Sequence, residues 1–256
     1  MLEKRRYAEA FLWQGRAAFV VAKKNVMIYY LKPPVITFGV IFPLFFYLAF
    51  AAGHAGPPEA MVPGIMSMAL FFTASAVGPL VTPWERQAKT YERLVTSPAS
   101  LSAILAGDVL AGMLFGTLLS LLPLAIGLSA TDAGVVSAPR LMIGVVLGAF
   151  AFSGLGVLLS APASDTPSQV MMLSNLVRLP IIFVSGVFIP LAQMPAWGRW
   201  LAPLSPLSYS ADLIRVGFGE TGYFSFWADV AALSGFTVVF LWAAHLLHRR
   251  TRDRAL

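Results

Sequence analysis

Six times along this chain an apolar run, with at most one or two charges, is long enough to cross a lipid bilayer. A helix needs about 20 apolar residues to span a hydrocarbon core of ~30 Å. The runs are 34–53, 60–83, 100–130, 141–161, 167–189 and 227–248. In hydrocarbon, backbone N–H and C=O groups must be paired within their own segment, so runs of this length are read as helices. Charged residues make up only 12% of the chain, against about 25% in soluble domains. The fold class expected is an all-α integral membrane protein with six transmembrane helices.

The net charge of +6 is distributed in a way that argues against nucleic acid as a partner. Lys4, Arg5, Arg6, Arg16, Lys23, Lys24 and Lys32 precede the first apolar run. Arg86, Lys89 and Arg93 share one internal segment, and Arg249, Arg250, Arg252 and Arg254 end the sequence. Basic residues gathered beside hydrophobic segments orient a membrane protein, with the basic side cytoplasmic. Six spans put both termini and the internal basic segment on that same side. The expectation is a multi-pass membrane protein with both termini cytoplasmic. The charged stretch before the first apolar run is too long for a cleavable signal.

Two regions are expected: an amphipathic interfacial helix over 1–32, and a six-span transmembrane domain over 33–256. At helical spacing, Arg5, Arg6, Glu9, Arg16, Lys23 and Lys24 fall within an arc of roughly 100°. Phe11, Leu12, Ala18, Phe19, Ala22 and Val26 lie opposite. Such a helix lies along the headgroup layer, its cations toward anionic lipid or a partner. Membrane lipids are therefore expected partners.

Between the second and third spans lies TPWERQAKTYERLVTSP. Thr82, Pro83 and Glu85 have the spacing of a capping box with proline at the first helical position. Glu85 and Lys89 are spaced as an i,i+4 ion pair, and Ser97-Pro98 repeats the cap-plus-proline signal and is expected to start the third span. A short polar helix over 84–98 is expected, either a solvated loop that sets topology or a docking element for a cytosolic partner. Thr166-Pro167 gives the same start signal to the fifth span after a short inner loop, 162–167. Gly112/Gly116 and Gly144/Gly148 are small-xxx-small pairs that let helices approach closely.

The fifth span carries Arg178 roughly 17 Å along its axis. An unpaired charge there costs at least ~2.5–3.5 kcal/mol. Arg178 either lines a pathway, satisfies carbonyls freed by the neighbouring Pro180, or pairs with Asp108 of the third span. Beyond Pro190 the chain does not become a polar loop. Pro190, Pro195, Pro203 and Pro206 punctuate it, and Trp197, Trp200 and Tyr209 are aromatics suited to a membrane boundary. Residues 190–215 are expected to be re-entrant outer helices between spans five and six.

Chemistry is sparse. The chain has no cysteine, so no disulfide or thiolate metal site, and His54, His245 and His248 show no metal-ligand spacing. No polar cluster fits a membrane enzyme, no charged ring fits a channel, and no G-x-x-x-x-G-K-[ST] phosphate loop is present. A transport role driven by another subunit remains.

The 84–98 segment resembles the cytosolic helix of the ABC-2 type exporter permeases, with its E-R-x-x-x-T-x-E-x-L-x-x-S-P pattern: Glu85, Arg86, Thr90, Glu92, Leu94, Ser97 and Pro98 match in order. Ser185, Gly186, Pro190, Met194, Pro195, Trp197, Pro206, Leu207, Tyr209, Asp212 and Arg215 are similar to that family's C-terminal signature, with Ser205 where Asn is common. The resemblance implies the permease half of an exporter, a homodimer or paired permease bound to two copies of an ABC ATPase subunit. The chain itself would hold no cofactor, and ATP and Mg would sit on the partner. Glu85, Arg86, Thr90, Glu92, Arg93, Leu94 and Asp165 would couple to the ATPase. Arg178, Ser185, Gly186, Pro190, Trp197, Tyr209, Asp212 and Arg215 would form the pathway and its outer gate. The substrate implied is amphipathic or hydrophobic (a drug-like molecule, a lipid or a lipid-linked saccharide), as in the drug-resistance and nodulation-type branch. The alternatives are an ATP-independent secondary carrier using Asp108 and Arg178, a polysaccharide or O-antigen type ABC exporter permease, and a non-transporting scaffold.

Overall fold

The computed structural model describes residues 2–29, 58–162 and 166–255, with isolated positions between 36 and 49. The side chains of 2–11, 29, 58, 92, 95 and 252–255 fall outside the description. The helices are α1 (Leu2–Tyr29), α2 (Val62–Gln87), α3 (Tyr91–Val95), α4 (Leu101–Ala130), α5 (Ala138–Leu159), α6 (Pro167–Val184), α7 (Ala196–Leu201), α8 (Pro206–Gly217) and α9 (Phe226–Ala255). Among the described residues there is no strand. Five segments are long and apolar enough to cross a membrane: Glu59–Gln87, Leu101–Ala130, Ala138–Leu159, Pro167–Val184 and Phe226–Thr251. The first expected span, 34–53, and the turn after it lie mostly outside the described residues, although the Phe42 ring packs edge-on against Phe72 at 5.0 Å.

α2 is the axis of the bundle. Every residue from Val62 to Pro83 is buried, whereas only 11% of the apolar window of α9 is. Small residues permit this. A Cβ on Gly156 of α5 would lie 2.5 Å from the Ser75 carbonyl oxygen, and one on Gly116 of α4 would lie 2.6 Å from Ala74 Cβ. The two small-xxx-small pairs thus acquire partners: Gly116 packs on α2, Gly112 against both α2 and Ser153 of α5, and Gly144 and Gly148 on α8. Phe71 and Phe152 fill the remaining volume in an edge-to-face pair, 5.0 Å between centroids.

The helix starts differ from expectation. Thr82 caps nothing: α2 runs through Pro79 and Pro83 to Gln87. Each internal proline removes one i−4 hydrogen bond, and packing on all sides outweighs that loss. The break comes later, at Ala88–Thr90. Lys89 has φ +54, Thr90 N–H donates to the Glu85 carbonyl at 2.9 Å, and Lys89 N–H donates to the Arg86 carbonyl at 2.9 Å. That pair of bonds is a Schellman end with lysine at the left-handed position glycine usually takes. The 84–98 segment is therefore the last turn of α2, a sharp corner, and the short α3. The third span does not start at Ser97-Pro98; Ser100 caps α4, its hydroxyl accepting from Ala103 N–H at 3.1 Å. The fifth span also ends early. α6 stops at Val184, because Gly186 adopts φ +81 and turns the chain away before Ile189.

α1 packs along the first turns of α4, with Ala18, Val21, Ala22 and Asn25 buried and Gly107 meeting the Ala18 carbonyl and Val21. Its apolar arc is split. Ala18 and Ala22 face the protein, while Leu12 and Phe19 are exposed. Lys24 is turned inward, contrary to the expected cationic outer face. The side chains of Arg5, Arg6, Glu9 and Phe11 lie outside the described residues.

Candidate functional site

Two polar clusters occupy opposite ends of the bundle. The basal end holds α1, the C-terminal end of α2, α3 and the C-terminal end of α9. Lys24 of α1 forms an ion pair with Glu85 of α2, so the expected Glu85–Lys89 pair is not made. Lys89 instead sits exposed at the corner. Asn25 Nδ2 donates to Asp108 Oδ1 at 2.6 Å, and the Gln14 side chain accepts from Ser100 N–H at 2.9 Å. α1 is thereby pinned to α2 and α4 by three polar contacts. Arg86 reaches across to the Pro162 carbonyl at 2.6 Å and lies 5.2 Å from the Tyr91 ring centroid. Burial pushes the Tyr91 phenol above its usual range, against the lowering effect of Arg86. The α2–α3 corner and the inner loop, two segments far apart in sequence, are thus joined through one arginine.

Of the expected coupling residues, Glu85, Arg86 and Thr90 meet in this corner, where Thr90 also donates its hydroxyl to the Glu85 carbonyl at 3.2 Å. Leu94 is half-buried and Arg93 exposed. The Glu92 side chain and all of Asp165 lie outside the described residues. Lys24, Asn25 and Gln14 were not singled out in the sequence as parts of this cluster. A lysine and an asparagine on an amphipathic helix carry no signal of what they face.

The distal end is built on the turn after α6. Ser185 donates to the Ile182 carbonyl at 2.7 Å. Leu191 occupies the space beside Gly186 that a Cβ would need. Arg215 of α8 donates to the Gly186 and Val187 carbonyls at 3.1 Å each and pairs with Glu220 at 2.9 Å. Asp212, one turn earlier, accepts from Tyr223 N–H at 2.8 Å and Phe224 N–H at 3.0 Å. Burial raises its pKa, opposed by those two amides. Tyr209 donates to the Pro203 carbonyl at 3.0 Å and packs its ring on Phe224. Asp212 and Arg215 therefore clasp two separate loops to one face of α8. A cavity of about 720 Å³ opens beside them, lined in part by Gly64, Met68, Val187, Pro190, Arg215 and Glu220. Of the expected gate residues, Ser185, Gly186, Pro190, Tyr209, Asp212 and Arg215 come together here. Trp197 stands apart on α7, 64% exposed.

Arg178 belongs to neither cluster. It is fully buried, and its Nη2 donates to the carbonyl of Ser75 in α2. Pro79, four residues after Ser75, has no N–H to offer that carbonyl. The guanidinium thus replaces a missing helical donor. Two expectations are corrected. Asp108 does not pair with Arg178, because its partner is Asn25. The freed carbonyl that Arg178 serves comes from Pro79 on another helix, not from Pro180 on its own.

Among known proteins, the family model described as ABC-2 type transporter matches residues 16–218. A daunorubicin resistance ABC transporter permease protein, DrrB1, of Streptomyces coeruleorubidus is 25% identical over 234 residues, covering 90% of this chain and 81% of that protein. The inner membrane transport permease YadH of Escherichia coli (strain K12) is 28% identical over 194 residues, 73% of this chain and 75% of its own length. Nodulation protein J of Bradyrhizobium diazoefficiens is 28% identical over 167 residues, covering 63% of this chain and 62% of that protein. The family match spans most of the chain, and membrane-length helices run through the same region. The chain belongs to the ABC-2 type transporter family and is a multi-pass inner-membrane permease, a transport subunit rather than an enzyme.

Proposed function

We propose that this permease is the membrane half of an ATP-driven exporter that moves an amphipathic or hydrophobic substrate out of the cytoplasm. Two copies pair, each bound at its basal end by an ATPase subunit that supplies ATP and Mg. Residues 34–53 complete six spans, both termini are cytoplasmic, 1–32 is the interfacial region, and 190–215 is the re-entrant outer segment. The observation that carries this reading is mechanical. The α2–α3 corner continues directly into α2, the most buried helix, so a push on Glu85, Arg86, Thr90, Glu92, Arg93 or Leu94 reaches the centre of the bundle; Asp165 is proposed to join that contact from the inner loop, which Arg86 reaches at Pro162. The distal clasp around Ser185, Gly186, Pro190, Tyr209, Asp212 and Arg215, edged by Trp197, is the gate that such a push would open. For Arg178, full burial and the bond to Ser75 support a brace over a pathway contact. The drug-resistance and nodulation names among its relatives support an amphipathic cargo.

The test is reconstitution with an ABC ATPase subunit that co-purifies with the permease. ATP is expected to drive accumulation of a fluorescent amphiphile in inside-out proteoliposomes, and Glu85→Lys is expected to leave ATP hydrolysis running without transport. Uptake that follows a pH gradient without ATP, or normal transport by Glu85→Lys, would overturn the reading.

A further inference from the structure

A groove of about 590 Å³ lies between α4 and α9, on a different face of α4 from Gly107 and Asp108, which meet α1. The volume is that of a small-molecule site. Its walls are apolar, with Val109 and Leu110 on one side and Leu241 and Trp242 on the other. Its polar lining is confined to the basal end, where Ser102 Oγ and His245 Nδ1 lie 3.4 Å apart. Ser102 is in the first turn of α4, the helix end whose dipole favours an anion. Arg249 is exposed and one turn beyond His245 on the same helical face. No carboxylate lines the groove. A site with an apolar trough, a hydrogen-bonding end and an adjacent cation matches an amphiphile with a tail and an anionic head. Trp242, 65% exposed, stands about one turn inside the polar end, at the depth where indole rings settle in a bilayer.

We propose that this groove binds one anionic phospholipid of the adjacent leaflet. The acyl chain lies along Val109, Leu110 and Leu241, and the phosphate is held by Ser102, His245 and Arg249. The lipid fills the gap between α4 and the thinly buried α9 and ties that helix to the bundle. The site is independent of the exported cargo, so it stands or falls separately from the transport reading.

Brominated acyl chains quench tryptophan at close range, which makes Trp242 a reporter. The full chain, purified in neutral detergent, is titrated with brominated phosphatidylglycerol or brominated phosphatidylcholine. The difference between wild type and Trp242→Phe isolates the groove signal. Half-maximal groove quenching is expected at a roughly fivefold lower mole fraction of the anionic lipid, the preference one basic residue confers. Arg249→Gln should bring the two lipids together, and Ala106→Phe should remove the groove signal for both. Three outcomes overturn the proposal: equal half-saturation by the two lipids, no signal specific to Trp242 (as when a second copy of the chain covers the groove), or a preference unchanged in Arg249→Gln.

Discussion

Arg178 and Pro79 are a pair that neither residue's own helix explains. The proline leaves the Ser75 carbonyl without a donor, and a fully buried guanidinium supplies one. Replacing Arg178 by methionine keeps most of the volume but orphans a buried carbonyl, at a cost of about 1–3 kcal/mol. In a Pro79→Ala background the new amide can take over, so the same substitution should cost less. A thermal-stability cycle in detergent is expected to give a coupling of about 0.5–3 kcal/mol, and additive losses would refute the pairing. Gly64 makes a second single-residue case. A Cβ there would lie 2.4 Å from the Val187 carbonyl oxygen, one of the two oxygens that Arg215 holds. Gly64→Ala should loosen the distal clasp, lowering the melting temperature and speeding hydrogen exchange at Tyr223 and Phe224 amides. Unchanged exchange would show that the turn simply shifts to make room.

At the scale of elements, the corner between α2 and α3 is held in a conformation that costs an L-residue about 1–2 kcal/mol. Lys89→Gly should therefore raise stability by about 1 kcal/mol, read as a higher melting temperature, provided the Schellman bonds persist. If the strain serves coupling, the stabilised variant will show altered ATP-driven transport. The docking of α1 is testable by charge reversal. Lys24→Glu and Glu85→Lys should each free α1 and raise tryptic cleavage at Arg16 and Lys23 on the order of tenfold, the equivalent of one charge-assisted hydrogen bond. The double swap should restore protection. The expectation that the cations of α1 face outward failed at Lys24 because the periodicity of a helix gives its faces but not what each face meets. The expected cap at Thr82 failed for a related reason: a proline stops an isolated helix, but packing along α2 carries the helix through.

For the whole molecule, a central helix that touches both polar ends makes α2 the shortest route between them. It contributes Glu85 to the basal cluster and Gly64 to the distal cavity, with the Arg178 contact between. Motion along α2 is thus the natural carrier of coupling in the exporter proposed above. The division into membrane-length helices needed no tertiary information, since run length and charge alone located the five spans described. The glycine pairs were legible as packing surfaces, while their partners on α2, α5 and α8 were not.

By itself, the sequence determined that the chain lives in a membrane, where the five described membrane-length helices lie along it, and which two segments break the pattern. These are local properties: hydropathy, helical period, and the backbone limits of proline and glycine. Only the tertiary structure decided what the charges do. Lys24 meets Glu85, Asn25 meets Asp108, Arg178 meets Ser75, and Arg215 meets the turn after α6. In an apolar medium a polar group must find a partner, but which partner depends on which helices are neighbours, and that is set by packing across the whole bundle.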